Sequence, residues 1–574
     1  MNYRWTIKKK TDDVTVNNLS STLRIPKSLA RVLAVRGIGT KEQAEKYFEP
    51  SLDDLYDPFL MDGMELASGR IIKAIKNKEL IWIHGDYDVD GTASASMVLQ
   101  FLREIGGAVE YYIPDRFQEG YGLSKVSINR AISHGVSVVI TVDVGITSYD
   151  PLLYAKSKGI DCIICDHHEP GNALPEVFAI IDPMKSNCNY PYKHLAACGV
   201  AFKLIQAIAI RLNIPEKAFE YLDFVAIASA ADMVPLVDEN RILVRYGLKQ
   251  LNSNPRPGIK GLIYCTHLKA NTITASSIVY AMAPLINAAG RLGDACRAVE
   301  MMIQTDEIAA FRIAQELEQE NRRRRVFDEK TFEEACVLAE KWLKNTSRRS
   351  LVLHSPHWHA GVIGIVASRL VDKYHLPTVL LTSFENNAKG SARSISGFDI
   401  HNALKSCDRF LLEYGGHKHA AGLSLMEENI PEFSEVFDSI ARDYITLDMV
   451  VPEIVIDAEL QLSELSPKFL KILNKFAPYG FENNKPVFLS TGVTSTNGVK
   501  IVANSHLKFR AYQSNFVIDA IAYQLLKKID LVASRKQFAI VYNIDTSSFN
   551  GNPNPQLRIK DLREEENMNI IMAE

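Results

Sequence analysis

His84-Gly85-Asp86-Tyr87-Asp88-Val89-Asp90-Gly91 follows the apolar run Leu80-Ile81-Trp82-Ile83. A short apolar run of that kind reads as a buried strand, so its carboxylates emerge where the strand ends. Asp143 closes the apolar stretch 136–142 in the same way, and Asp166-His167-His168 closes 161–165. Carboxylate and imidazole this dense are costly to bury without a compensating cation. A divalent metal is the economical explanation, and it points to hydrolysis rather than to a passive scaffold.

Working outward, strand candidates at 80–84, 109–113, 136–142, 161–165 and 179–181 alternate with helical stretches such as 92–105 and 129–133. Short, continuously apolar strands between helices predict a parallel sheet covered on both faces. Open parallel sheets hold their ligands beyond the carboxyl ends of the strands, which is where all three acidic clusters fall. Ahead of this region, residues 1 to about 60 read as a helical lead-in with its clearest helix at 41–48. Behind it, 305–343 contains neither Pro nor Gly and reads as one helix of about 55 Å. A second α/β pattern follows, with a strand at 351–354, a helix at 362–374 and a strand at 378–381. Beyond 450 the chain turns to strands at 453–458, 487–493, 506–512, 515–523, 538–544 and 556–559, the pattern of a small barrel of oligonucleotide-binding (OB) type.

Chemistry follows from spacing. In an extended segment Asp86, Asp88 and Asp90 would point the same way. Asp143 could bridge two cations and His167 could supply an imidazole ligand. Such mixed ligation suits Mn²⁺ or Mg²⁺ better than structural zinc. Two cations about 3.5–4 Å apart can activate a water and stabilise the leaving oxygen of a phosphoester. An EF-hand reading fails, because the position six residues after Gly91 is Met97. The small residues 91–96 open a helix whose amides could meet a phosphate oxygen. Arg116, Ser391 and Arg393 are candidates for a further phosphate clamp. Asn287 and Arg291 lie in a segment that could face phosphate or simply cap a helix.

Composition limits the alternatives. The 574 residues require more than one domain, and 65 basic against 68 acidic residues give a net charge of −3. A nucleic-acid role therefore needs local basic patches. Cys162 and Cys165 sit within an apolar run and read as buried thiols, since no second CxxC follows. No stretch reaches the ~18 apolar residues of a membrane span, and the start of the chain carries no apolar signal core, so a cytoplasmic location is expected.

His84 to Gly91, Asp143, Asp166-His167-His168 and Ala231-Asp232 resemble the four motifs of the DHH phosphoesterases. Gly415-Gly416-His417 through Gly422 resembles the signature of the DHH-associated domain. With His359 to Ser368, Gly390-Ser391-Ala392-Arg393 and the terminal barrel, the chain is most similar to the family's single-strand-specific 5′→3′ DNA exonucleases. The resemblance implies a DHH domain over 68–300 after a lead-in over 1–67, a connecting helix over 301–345, a DHH-associated domain over 346–448 and an OB domain over 449–574. It implies metal ligation, by two Mn²⁺ or Mg²⁺ ions, through His84 or Asp86, with Asp88, Asp90, Asp143, His167 and Asp232. His168 would stabilise the scissile phosphate, Arg116, Ser391 and Arg393 would hold a 5′ phosphate, and His417 would join the substrate contacts. A groove between lobes would admit only single strands. The barrel aromatics Phe509, Tyr512 and Phe516 could stack bases, although most such aromatics are expected to fill the barrel core. Single-stranded DNA is the implied partner, with a single-strand-binding protein and a RecQ-type helicase as further ones in repair and recombination. Two alternatives stand beside this: hydrolysis of short oligoribonucleotides or cyclic dinucleotides, and an inactive single-strand-binding protein. One departure, Pro478-Tyr479-Gly480-Phe481-Glu482-Asn483, reads as a turn before the barrel that leaves catalysis undisturbed.

Overall fold

The computed structural model describes residues 3–8, 12–116, 119–120, 122–384, 386–534, 536–547, 554–567 and 570–572. By contacts it forms two compact units, 50–330 with 478–484, and 1–49 with 331–477 and 485–574.

Among the described residues the first element of the lead-in is a strand, not a helix. Strand β1 (Arg4–Ile7) lies parallel to β12 (Glu453–Ile456) on one side and β19 (Ile570–Met572) on the other. Trp5 anchors it, fully buried, with Nε1 donating to Asp561 Oδ2 at 2.9 Å. Four residues are too few for a period to show, which is why the strand was not evident within the lead-in. The expected helix at Lys41–Phe48 forms behind a Thr40 capping box.

In the first unit β2 (Leu80–Gly85), β3 (Ala108–Tyr112), β4 (Val138–Val142), β5 (Asp161–Cys165) and β6 (Ala179–Ile181) form a parallel sheet in the order β3-β2-β4-β5-β6. Alternate residues feed two cores. Ile81, Ile83, Val138, Ile140, Val142, Ile163 and Cys165 pack one face with the helices Val89–Glu104 and Ala197–Arg211. Trp82, Val139, Cys162 and Ile164 pack the other with Lys125–Ser133 and Tyr149–Ser157. Cys162 and Cys165 therefore project to opposite faces and cannot join in a disulfide or share a metal. Burial pushes the Cys162 thiol up to about 12 and Cys165 higher still.

The helix Glu307–Trp342 runs 36 residues without a break, about 54 Å at the α-helical rise. In the second unit β7 (Leu351–His354), β8 (Thr378–Phe384), β9 (Asn387–Arg393), β10 (Leu411–His417) and β11 (Ala420–Met426) make a mixed sheet in the order β10-β11-β9-β8-β7. The helix Ala360–Tyr374 packs on β8 and β9. The last region is a barrel of β14 (Phe488–Val502), β15 (His506–Gln513), β16 (Phe516–Ala522), β18 (Asn554–Glu564) and β17 (Phe538–Ser547), closed by β17 pairing back to β14. The expected strand at 453–458 divides: β12 leaves to pair with β1, and β13 (Ala458–Glu459) runs parallel to β14. Phe509 is a buried barrel residue facing Phe538, so it is not placed to stack bases.

Candidate metal centre and phosphate-binding residues

Asp86 is the first residue beyond β2. The chain then turns back: the Asp88 carboxylate caps the helix Val89–Glu104, accepting from the amides of Asp90 at 2.9 Å and Gly91 at 3.2 Å. The helix thus starts earlier than position 92, and Asp90 stands in its first turn. Two expectations are corrected. The three aspartates converge through a capped turn rather than by strand alternation. The helix-start amides are occupied by Asp88 instead of being free for phosphate. Gly91 is sterically required, because a Cβ there would lie 2.5 Å from the Asp86 backbone N and O.

Asp143 follows β4 in the left-handed region, at φ 65°, with its amide donating to the Cys165 carbonyl at 3.0 Å. Asp tolerates this conformation better than a β-branched residue would. Beyond β5, buried Asp166 accepts from the amides of His167 (2.8 Å), His168 (3.3 Å) and Ile146 (3.0 Å), and hydrogen bonds to His168 Nδ1 at 2.7 Å. Asp90 is held from a further direction: its carboxylate accepts the amides of Ala197 (2.7 Å) and Cys198 (2.8 Å). These open the helix Ala197–Arg211, which has no side-chain cap of its own, so Asp90 completes it. Asp232 closes the helix Leu222–Ala231 with its side chain 30% exposed.

These elements bring three overlapping triads together, each with ligand-type atoms within 4.8 Å of one another: Asp86, Asp88 and Asp143; Asp143, His167 and His168; and Asp90, His167 and Asp232. His167 Nε2 lies 3.3 Å from Asp143 Oδ1, 3.8 Å from Asp232 Oδ2 and 3.9 Å from Asp90 Oδ2. Asp143 and His167 each belong to two triads, the pattern of groups shared between neighbouring cations. His84 lies outside all three. Its ring is buried and hydrogen bonds to the Gly122 backbone.

The electrostatics fit a cation. Burial, then the charge of Asp88, raises Asp86 well above the usual carboxylate range. The same two causes bring Asp90 up to about 7, and burial with neighbouring aspartates raises Asp143 and Asp232. Burial and the nearby His168 lower His167 to about 4, leaving it neutral with a lone pair to offer. His168 behaves oppositely. Burial opposes its charge, but the Asp166 carboxylate outweighs that and raises it to about 9. Among the described residues, Asp86 Oδ1 and His84 Nε2 are buried and meet no hydrogen-bond partner. Orphaned acceptors among mutually repelling carboxylates are what a bound divalent cation would satisfy. The donor set, carboxylate oxygens with one or two imidazoles and no thiolate, suits Mn²⁺ or Mg²⁺.

The remaining candidates divide by place. Arg116 lies with its guanidinium 5.1 Å over the Tyr87 ring. Asn287 is a mid-helix residue of Ala283–Leu292 whose Oδ1 accepts the Val89 amide at 3.1 Å. It holds the acidic turn in place, in company with Gly290, where a Cβ would lie 2.5 Å from the Tyr87 carbonyl oxygen. Arg291 occupies the last turn of that helix, so its segment is helix rather than loop. In the second unit Arg393 Nη1 donates to Ser391 Oγ at 3.0 Å. Arg393 and His417 flank Ala420 across β9, β11 and β10.

Two features were not read from the sequence. Asp166 organises the histidine pair, a role signalled only by its position at a strand end. The turn at 478–484 packs on the catalytic unit: Leu236 N donates to the Phe481 carbonyl at 2.9 Å, and a Cβ on Gly480 would lie 2.5 Å from Leu236 Cδ1. It is the expected turn, closed by Gly480 and Asn483, and it braces the chain four residues after Asp232.

The sheet with its acidic rim matches the DHH family N-terminal domain over 80–229, followed by the DHHA1 domain over 348–443 and the RecJ OB domain over 456–561. This is a DHH-family architecture carrying an OB barrel. The chain is 36% identical over 97% of its length to the single-stranded-DNA-specific exonuclease RecJ of Bacillus subtilis, covering 70% of that protein. It is 32% identical over 94% of its length to the RecJ of Escherichia coli, covering 96%. The crystal structure of RecJ from Thermus thermophilus in complex with Mn²⁺ superposes with a TM-score of 0.84 at 27% identity, over 99% of this chain and 80% of that one. The chain belongs to the RecJ family of single-stranded-DNA-specific exonucleases. Among the described residues no helix is long and apolar enough to cross a membrane.

Proposed function

We propose that the chain is a metal-dependent exonuclease that hydrolyses single-stranded DNA from its 5′ end to mononucleotides. The observation that carries this reading is the convergence of Asp86, Asp88, Asp90, Asp143, His167 and Asp232 in overlapping clusters beyond the carboxyl edge of the parallel sheet. Asp86, Asp88, Asp90, Asp143, His167 and Asp232 would hold two Mn²⁺ or Mg²⁺ ions, with the buried His84 outside that set. When bound, such ions supply an activated water and neutralise charge developing on the phosphate. The protein's own groups do the rest. Asp143 fixes the shared position through its constrained backbone. His168, raised to about 9 by the Asp166 carboxylate on its Nδ1, would donate to a scissile phosphate oxygen rather than ligate a cation. Asp166 holds that imidazole in one orientation. Ser391 and Arg393, fixed to each other, are suited to a terminal 5′ phosphate, and Arg116, stacked on Tyr87, is separately a group suited to a phosphate oxygen.

The deciding experiment digests end-labelled single-stranded DNA, duplex DNA and short RNA with Mn²⁺, with a chelator control. Release of mononucleotides from the 5′ end of single strands alone, abolished by chelation, is the expected result. Preference for short RNA would instead favour an oligoribonucleotide phosphodiesterase. Binding without cleavage would overturn the hydrolytic reading.

A further inference from the structure

Gly364 lies in the helix Ala360–Tyr374, where alanine would be the better helix former. Glycine at such a position calls for a steric reason, and the neighbours supply one. A Cβ built on Gly364 would stand 2.9 Å from Ser391 Oγ and 3.0 Å from Arg393 Nη2. The missing methyl group is therefore the space in which the Arg393 head and the Ser391 hydroxyl sit. Arg393 Nη1 bonds to that hydroxyl at 3.0 Å and to the Ala392 carbonyl at 2.8 Å, so the guanidinium is tied to its own strand and pressed against the helix. Cross-strand from Ser391, Gly422 and Gly415 meet nothing within 4 Å of a built Cβ, which leaves this face of the sheet open to a ligand.

We propose that Gly364 is a positioning residue for recognition of a terminal phosphate monoester, setting by its missing side chain the place of the Arg393 guanidinium and the Ser391 hydroxyl. The inference rests on the assignment of those two groups to the 5′ phosphate. An alanine methyl would displace only side-chain ends, one of them flexible, so the fold tolerates it while the clamp loses register.

The test uses the full chain, with single-stranded DNA carrying either a 5′ phosphate or a 5′ hydroxyl as the probe. Gly364→Ala is expected to keep its melting temperature at or above that of the parent. Its KM for the phosphorylated strand should rise about tenfold, the scale of a lost charge-assisted hydrogen bond, with kcat changed less than twofold. Arg393→Ala should lose the same preference, and Gly364→Ala should add nothing further in that background, as expected for two residues acting through one contact. Should Gly364→Ala retain the preference while Arg393→Ala loses it, the inference is overturned and the clamp stands. Should Arg393→Ala also retain it, the clamp itself fails. If Gly364→Ala melts lower, the double variant still decides, because an additive loss of preference would refute action through Arg393.

Discussion

Asp143 combines a left-handed backbone, a buried carboxylate and membership of two triads. Asp143→Ala should reduce kcat on single-stranded DNA by more than about a thousandfold, read from initial rates with saturating Mn²⁺. Without metal the same variant should melt no lower than the parent, since one source of repulsion among Asp86, Asp88, Asp90 and Asp232 is gone. A metal-free melt well below the parent's would show that Asp143 is structural instead. At the same scale, Cys162 is a thiol at any working pH, because burial pushes it up to about 12 and only thiolate reacts. Native protein at pH 8 should therefore leave Cys162 unalkylated by iodoacetamide, with modification appearing on unfolding, as peptide mass mapping would reveal. Residue identity was the most legible layer: each acidic cluster announced itself after an apolar run. The role of Asn287 was not legible, because its partner, the Val89 amide, is distant in sequence.

At the scale of the element, the turn from β2 into its helix does the organising. Gly91→Ala would force a Cβ into the Asp86 backbone and should cost about 2 kcal/mol of stability, the usual scale of overpacking a tight site, measured by thermal melting. Because it also moves Asp86, the variant should bind Mn²⁺ more weakly in titration calorimetry; full retention of affinity would separate the turn from the metal site. Spacing alone suggested an extended Asp-x-Asp-x-Asp run, whereas Asp88 capped a helix in its middle. A period-2 pattern and a capped turn are indistinguishable over five residues. Local hydrogen bonding chose between them.

Over the whole molecule, folding and metal binding should be linked. Ions that bind only the folded state stabilise by about 2.7 kcal/mol at a hundred times their dissociation constant. Adding Mn²⁺ to chelator-treated protein should therefore raise the melting temperature of the catalytic unit, and the shift should vanish in Asp143→Ala. In the other unit, Trp5→Ala removes a fully buried indole bonded to Asp561 and should cost about 3–5 kcal/mol, read as an early transition in calorimetry. By itself the sequence determined the parallel sheet, the acidic clusters at its strand ends, the long helix and the terminal barrel, because hydrophobic period and strand-end chemistry are local properties of the chain. The tertiary structure alone decided that β1 joins β12 and β19, that the turn at 478–484 braces the catalytic unit, and that Gly364 faces Arg393. Each of these joins residues distant along the chain, and only packing, which carries no periodic signature, can select them.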